Sequence, residues 1–240
     1  MTASIYPAGF YQDRRASTAH AATRILSAMP QALPRQRVAD IGCGTGTWLA
    51  AALASGSDYA FGIEGDWVQL PMLDDPRIVF EPRNLEDRFT GPAVDLVLSL
   101  EVAEHLSPGR AESFIADLTA MAPAVLFSAA IPGQGGVAHI NEQWQSYWAA
   151  KFAVWNYRPF DIIRPAIWGD ADIPAWYKQN TILYMDAELG GRLGLVETRA
   201  DLLDTVHPLF WERANRELKY AGALPESEVL KRQAQAAQQQ

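Results

Sequence analysis

The 240-residue sequence has little cysteine, no excess of basic charge and no long apolar run. Its one cysteine, Cys43, cannot form an internal disulfide. Lys and Arg number 20 against 28 Asp and Glu, which gives a formal net charge of -8 at pH 7. Because binding to a nucleic-acid backbone requires a basic surface, we expect no nucleic-acid partner.

The apolar runs are shorter than the roughly 18 residues that a transmembrane helix requires. The first residues also lack the charged-then-apolar order of a signal peptide. We therefore expect a cytoplasmic protein with no membrane partner. Hydrophobic residues make up 49% of the chain, enough for one core with an elaboration, and no pattern predicts the oligomeric state.

Apolar runs typical of buried strands alternate with segments of helical composition. A helix is predicted over residues 15–29, before the first strand, and another directly after that strand. The strand segments are RVADIG, DYAFGIEG, RIVFEP, AVDLVLSL, AVLFSAAIP and, later, TILYMD. This alternation predicts a doubly wound α/β fold.

Three glycines at alternate positions, Gly42, Gly44 and Gly46, follow the first predicted strand. Ligands of open parallel sheets bind at the carboxyl ends of the strands, and glycine lets the backbone approach a ligand without an intervening Cβ. The spacing is G-x-G-x-G, and Thr47 stands where the dinucleotide fingerprint requires its third glycine. The turn is therefore a poor match for a pyrophosphate.

An acidic residue ends the second predicted strand. Glu64 follows Gly46 by 18 positions, where a carboxylate can accept hydrogen bonds from both ribose hydroxyls of an adenosine-type ligand. The turn and the acid together indicate a nucleoside-bearing ligand more strongly than either does alone.

Four segments in the same order carry a resemblance to a known family. VADIGCGTGTW, the acid of FGIEGD, NLED and VDLVLSLEVAEHL resemble class I S-adenosylmethionine (SAM)-dependent methyltransferases over residues 36–131. That family implies a Rossmann-like, doubly wound, seven-stranded sheet whose last strand is antiparallel. It also implies SAM as the cofactor, bound over the first two strands.

The resemblance assigns parts of SAM to particular residues. The methionine part is expected at Asp40 and the Gly42–Gly46 backbone, the ribose at Glu64, and the adenine near the NLED segment. The full set of implied cofactor-binding residues is Asp40, Gly42, Gly44, Gly46, Glu64, Asn84, Leu85, Glu86, Leu100 and Glu101.

The chain beyond residue 131 is rich in aromatic residues. Five of the eight tryptophans lie in residues 133–180, and Trp144, Trp148 and Trp155 recur with Phe152 at helical spacing, as in a packed stripe. We expect the residues outside that stripe to line a pocket for a small neutral acceptor such as a sugar or an aromatic alcohol. These residues are Trp168, Tyr177, Lys178, Gln179 and Asn180. The segment also resembles, less specifically, bacterial methyltransferases of sugars or natural products.

The sequence predicts four parts along the chain. Residues 1–35 are an N-terminal helical cap, and residues 36–131 are the SAM-binding core. Residues 132–190 are an aromatic-rich, acceptor-side insertion after strand five together with the final strands. Residues 191–240 are a C-terminal helical region with a frayed tail.

Two histidines follow strands at the edge of the sheet where an acceptor is expected. Methyl transfer to a hydroxyl requires that the acceptor lose a proton, which a base or a metal assists. We expect His139, after the fifth strand, to be the general base, oriented by Glu142 or by His105, which follows the fourth. His20 and His207 are expected to be structural or surface residues.

A second reading of the same segment involves a metal. Glu101, Glu104 and His105 form an E-x-x-E-H group, and His139 completes four ligands of mixed oxygen and nitrogen type. The pattern resembles metal-assisted methyltransferases of ubiquinone biosynthesis and of small-RNA 3′-end methylation, although metal-free members carry it too. Use of a divalent metal therefore stays open, and the lack of a basic groove disfavours an RNA substrate.

The sequence predicts a SAM-dependent methyltransferase, most simply an O-methyltransferase of a small molecule. Two functions of other classes remain as alternatives. A NAD-type dehydrogenase on the same fold is disfavoured by Thr47, and a noncatalytic partner protein would not need the glycines and Glu64. The acceptor's identity and the choice between oxygen and nitrogen as the methylated atom are left open.

Overall fold

The computed structural model describes residues 8–223, in which helices cover both faces of one seven-stranded sheet. The strands are β1 Arg37–Ile41, β2 Tyr59–Glu64, β3 Val79–Pro82, β4 Leu96–Leu100, β5 Ala124–Ser128, β6 Tyr157–Phe160 and β7 Ile182–Asp186. The helices are α1 Ala8–Ala28, α2 Thr47–Ala54, α3 Ala111–Met121, α4 Gln145–Val154, α5 Ile163–Ile167, α6 Ala175–Asn180, α7 Ala187–Arg192 and α8 Pro208–Ala223.

The strand order is β3-β2-β1-β4-β5-β7-β6. Strands β1 to β5 are mutually parallel, whereas β7 runs antiparallel to both of its neighbours, β5 and β6. The predicted doubly wound sheet with an antiparallel last strand is confirmed. β1 lies between β2 and β4, so the strand order reverses at β1 and the connections on its two sides cross opposite faces of the sheet. Ligands of such folds bind at this point, at the carboxyl ends of the strands.

The apolar runs form strands because the sheet is covered on both faces. Every residue of β4 and of β5 is buried, and alternate side chains point into two separate cores. One core packs against α1, α2, α5 and α6, and includes Leu96 and Leu98. The other packs against α3 and α4, and includes Val97 and Val125.

The aromatic stripe is only partly a packing surface. Trp148 and Phe152 of α4 are buried against the sheet, whereas Trp144 and Trp155 are 39% and 47% exposed.

Directly after α4, β6 adds an edge strand that no sequence pattern predicted. Its Pro159 lacks an N–H donor, which an edge position tolerates because one side of the strand is unpaired.

Some expectations concern residues outside this description. The first seven residues of the predicted cap and the predicted frayed tail at residues 231–240 lie outside the described residues. Within residues 8–223, no helix combines the length and the apolarity that crossing a bilayer requires.

Replacement of Trp148 tests the packing role of α4. Trp148 is 2% exposed, so Trp148→Ala should destabilise the fold by roughly 3–5 kcal/mol and lower the melting temperature by roughly 6–20 °C. Trp155→Ala, at the exposed end of the same helix, is the matched control and should change stability by less than about 0.5 kcal/mol. Similar losses in both variants, measured by calorimetry, would contradict this assignment.

Candidate active site

A cleft of about 1070 Å³ opens at the carboxyl edge of the parallel strands. A typical small-molecule pocket measures roughly 300–1,000 Å³, so this cleft has room for a cofactor and a small second ligand. It brings together most of the residues that the sequence singled out: Asp40, Gly42, Gly44, Glu64, Asn84, Leu85, Glu86, Leu100, Glu101, Glu104, His105 and His139.

Two of the predicted cofactor-binding and catalytic residues, Gly46 and Glu142, do not line the cleft. Gly46 has a φ of +79°, and a Cβ there would lie 2.6 Å from the Cδ1 atom of Ile78, so packing and backbone conformation require its glycine. Glu142 lies behind His139 and contacts its ring.

The glycine turn is tied to β2 by hydrogen bonds. The N–H groups of Gly42 and Cys43 both donate to the carbonyl oxygen of Ile63, over 2.8 and 3.1 Å. Gly42 and Gly44 have φ values of +86° and +52°, a left-handed conformation that favours glycine. The turn therefore holds a fixed backbone beside the end of β2.

Glu64 bridges the two strand ends. Its Oε2 accepts from the N–H of Gly44 at 3.0 Å, and its Oε1 accepts from the N–H of Gly65 at 2.8 Å. Burial raises the pKa of Glu64, and these two donors oppose that rise. Because each oxygen has a second lone pair, the carboxylate can still accept bonds from a ligand in the cleft.

Glu101 is held in an unusual conformation at the end of β4. Its φ is +56°, and its N–H donates to the carbonyl and the hydroxyl oxygen of Ser128, both at 3.0 Å. Asn180 Nδ2 donates to Oε1 at 3.0 Å, and Gln134 Nε2 donates to Oε2 at 2.9 Å. Burial raises the pKa of Glu101, and the amide donors lower it.

The two amides belong to a buried network at the cleft wall, in which Gln134 lines the cleft and Asn180 lies behind it. Gln134 Oε1 accepts from Gln179 at 3.0 Å and from Asn180 at 2.9 Å. Gln179 Oε1 accepts from the N–H of His207 at 2.9 Å, which joins the network to the start of α8. Gln134 lies in residues 133–136, whose sequence is GQGG and which form the GQGG turn; the sequence pattern indicated no role for it.

The predicted acceptor-lining set is wrong in four of its five members. Lys178, Gln179 and Asn180 are buried behind the cleft wall. Trp168 packs against His207, with the two ring centroids 4.6 Å apart. Tyr177 does line the cleft, with Trp176 beside it. On the short helix α6, Trp176 and Tyr177 line the cleft, whereas the amide side chains of Gln179 and Asn180 are buried in the protein. The spacing of the aromatic residues does not determine this orientation.

Residues of α1 and α8 also line the cleft. Arg15 and Thr18 of α1 line it on one side, and Phe210 and Arg213 of α8 on another. The Arg213 guanidinium donates to the carbonyl oxygen of Gln134, so α8 is attached to the GQGG turn. None of these residues carried a recognisable sequence pattern.

The predicted general base has a defined orientation. His139 Nδ1 lies 2.9 Å from Glu142 Oε1, and Glu142 also accepts from the N–H groups of Gly133 at 2.7 Å and Gly135 at 2.9 Å. The structure thus brings His139 to the cleft and places Glu142 where it orients the ring.

His105 lies next to His139. The two rings are perpendicular, with centroids 4.9 Å apart, and His105 Nδ1 is 3.2 Å from the carbonyl oxygen of Ala138. Burial, with a smaller effect of His139, lowers the pKa of His105 to about 4. His105 is therefore a neutral imidazole at pH 7.

Glu104 is the residue with the most unusual surroundings. It is 0% exposed, and neither carboxylate oxygen has a hydrogen-bond partner among the described residues. Burial, and then the charge of Glu101, raises the pKa of Glu104 well above its ordinary value. One ligating atom each from Glu104, His105 and His139 lies within 4.8 Å of the others, whereas both oxygens of Glu101 are bonded to amides.

Comparison with solved structures identifies the architecture. The chain has the fold of SAM-dependent methyltransferases. It matches the complex of the Haloferax volcanii Trm112 methyltransferase activator with a methyltransferase, at a TM-score of 0.54 and 15% identity over 75% of this chain and 94% of that one. No family model and no curated protein sequence matches the chain.

Two further matches are proteins of natural-product biosynthesis. CalO1, a methyltransferase in calicheamicin biosynthesis in its SAH-bound form, has a TM-score of 0.52 and 14% identity over 74% of this chain and 56% of CalO1. The mitomycin 7-O-methyltransferase MmcR has a TM-score of 0.50 and 16% identity over 71% of this chain and 54% of MmcR. This chain thus spans little more than half of either protein.

The place of His139 depends on a glycine. A Cβ at Gly136 would lie 2.2 Å from Nε2 of His139, so Gly136→Ala should displace that ring. In histidine-selective NMR spectra, the imidazole signals of His139 and the adjacent His105 should shift, and those of His207 should not. Gly109→Ala, where a Cβ meets no atom within 4 Å, is the control and should leave all three unchanged.

Proposed function

We propose that this protein is a SAM-dependent methyltransferase that methylates a hydroxyl group of a small molecule, of the sugar or natural-product type. One observation carries the proposal. The glycine turn with Glu64 and the His105–His139 pair line one cleft of about 1070 Å³, which has room for two ligands. The names of the structurally similar CalO1 and MmcR agree with a small-molecule acceptor.

The residues of the cleft fit an adenosine-bearing cofactor. Glu64 retains lone pairs for two ribose hydroxyls, and Asp40 and the turn backbone are available to the amino-acid end. Asn84, Leu85 and Glu86 form the wall next to Glu64, where an adenine would lie. When bound, SAM would supply an electrophilic methyl group.

The histidine pair supports an acceptor site in the same cleft. His139, with Glu142 on its Nδ1, would take the proton of an acceptor hydroxyl through its Nε2 atom. Glu142 would stabilise the imidazolium that forms. The choice of oxygen as the methylated atom rests on this base, because a sugar or alcohol hydroxyl is a weak nucleophile until it loses its proton.

A metal-assisted reaction is the second candidate, and Glu104 favours it. A buried carboxyl group without a hydrogen-bond partner, close to ligating atoms of two histidines, is suited to a divalent cation. Glu104, His105 and His139 would hold the ion, which would lower the pKa of an acceptor hydroxyl. A cytoplasmic location stays a prediction from the sequence.

Ligand binding tests the cofactor. SAM or S-adenosylhomocysteine (SAH) should bind and raise the melting temperature, because a ligand selective for the folded state stabilises it. Glu64→Ala should weaken SAM binding by roughly 1–3 kcal/mol in calorimetry, by removing the acceptor of the ribose hydroxyls. Glu81→Ala, a half-buried acid on the neighbouring β3 that does not line the cleft, is the control. Binding of NAD instead of SAM would favour the dehydrogenase alternative.

Loss of the base tests the transfer step. His139→Ala should reduce turnover by roughly 100- to 10,000-fold, with SAM affinity nearly unchanged, in an acceptor screen with labelled SAM. His20→Ala, on α1 away from the cleft, should retain activity. Near-full activity of His139→Ala would exclude both the base and the metal-ligand role.

Chelation separates the two candidates. If the enzyme uses a metal, a chelator should abolish activity, Mg²⁺ or another divalent ion should restore it, and Glu104→Ala should be as inactive as His139→Ala. If His139 acts as a base alone, the chelator should have no effect.

A further inference from the structure

One wall of the cleft is formed by a loop without regular secondary structure. Asn84, Leu85 and Glu86 line the cleft from this loop, which spans residues 83–95 between β3 and β4. Backbone carbonyl groups outside helices and strands need other hydrogen-bond donors where they are shielded from water. A loop that binds a ligand also loses less entropy on binding if the surrounding structure already fixes its conformation.

A single arginine at the start of α3 supplies donors to this loop. Arg110 donates through Nε to the carbonyl oxygen of Leu85 at 2.9 Å and through Nη2 to the carbonyl oxygen of Asp87 at 3.0 Å. Arg110 is buried and is not among the described residues that line the cleft. It can therefore act on a bound ligand only through the loop.

The rest of the guanidinium group is fixed by α3. Arg110 Nη1 donates to the hydroxyl oxygen of Ser113 at 2.7 Å, and Nη2 also donates to Oδ2 of Asp117 at 2.6 Å. The side chains of Arg110 and Asp117 are 4% and 2% exposed. A buried ion pair contributes little net stability, because the cost of desolvation offsets its attraction. The consequence of this pair is geometric, since it holds the planar guanidinium against the two loop carbonyls.

A second contact fixes the loop at its outer side. The carboxylate of Glu86 accepts from the N–H of Ser107 at 2.6 Å and from its hydroxyl group at 2.8 Å. Residues 85 to 87 are thus bonded to the segment that follows β4 through two backbone carbonyls and one side chain. The loop has a defined conformation because these partners impose it.

We propose that Arg110 is a positioning residue for the adenine end of the cofactor. It holds the backbone of Leu85 and Asp87 so that the wall next to Glu64 is formed before a ligand binds. This inference rests on the proposed function, which places an adenine at that wall. Its test therefore uses ligands that share the nucleoside part and ligands that differ only in the base.

Replacement of Arg110 by lysine separates its geometry from its charge. Arg110→Lys keeps a cation beside Asp117 but loses the planar fork that bonds to both carbonyls. In calorimetry, the affinities for SAM and for adenosine should fall by the same factor of roughly 3- to 10-fold, as expected for loss of about one hydrogen bond. The preference for SAH over S-inosylhomocysteine, in which an oxygen replaces the amino group of adenine, should fall by roughly the same factor. A general loss of stability would lower the melting temperature without changing this preference.

Arg88→Lys is the matched control. Arg88 Nε lies 2.6 Å from Oδ1 of the same Asp117, but its side chain is 68% exposed. In the described part of the chain, its bond is to Asp117 and not to the carbonyls of Leu85 and Asp87. Affinity and base preference should therefore stay at their wild-type values. The inference fails if Arg110→Lys is folded by circular dichroism and keeps both wild-type values, or if the two variants lose them equally.

A measurement on the wild type keeps the test independent of any variant. In NMR spectra of arginine side chains, the Nε–H signal of Arg110 should shift when adenosine binds, because its acceptor is the carbonyl of Leu85. The signal of Arg164, a buried arginine whose Nε donates to Asp161 at 2.8 Å, should stay unchanged. An unchanged Arg110 signal at saturation would overturn the inference. If the wild type binds neither SAM nor adenosine, the proposed function itself is wrong.

Discussion

The reversal of strand order at β1 is the constraint on which the site depends. β1 pairs with β2 on one side and with β4 on the other, with Asp40 opposite Gly62 and Leu98. The connections that follow these strands must diverge toward opposite faces of the sheet, which leaves an open crevice above the β1 turn. Glu64 and Glu101 lie on the two sides of that crevice because they end or follow the strands that flank β1.

Local donors then give each acidic residue of the crevice a different character. Glu64 accepts hydrogen bonds from two backbone N–H groups, and Glu101 accepts them from two side-chain amides. Among the described residues, neither carboxylate oxygen of Glu104 has a hydrogen-bond partner. Burial raises the pKa of all three residues, and the donors to Glu64 and Glu101 oppose that rise.

In the segment after β5, some residues stabilise the fold and others line the cleft. Trp148 and Phe152 pack α4 against the sheet, and β6 and β7 complete it. The loop after β5 supplies His139, and α6 supplies Tyr177. Gln134 of that loop and Asn180 of α6 supply the amide groups that bond to Glu101. Glu142 links three groups of the turn, so the orientation of His139 depends on the conformation of the turn as well as on its own rotamer.

The sequence by itself determined the α/β alternation, the glycine turn, Glu64 and the pairing of His105 with His139 at one edge. These features depend on periodicity, on backbone conformation and on the rule that parallel strands end at a common edge. Each of these can be recognised from a short stretch of sequence. Only the tertiary structure decided that Gly46 serves packing, that Trp168 faces His207, and that Pro159 lies in an edge strand. It alone brought Gln134 and Asn180, 33 and 79 residues away in the chain, onto Glu101. Hydrogen bonds between distant residues leave no periodic signal, because their partners are selected by the packing of whole elements and not by neighbours in the chain.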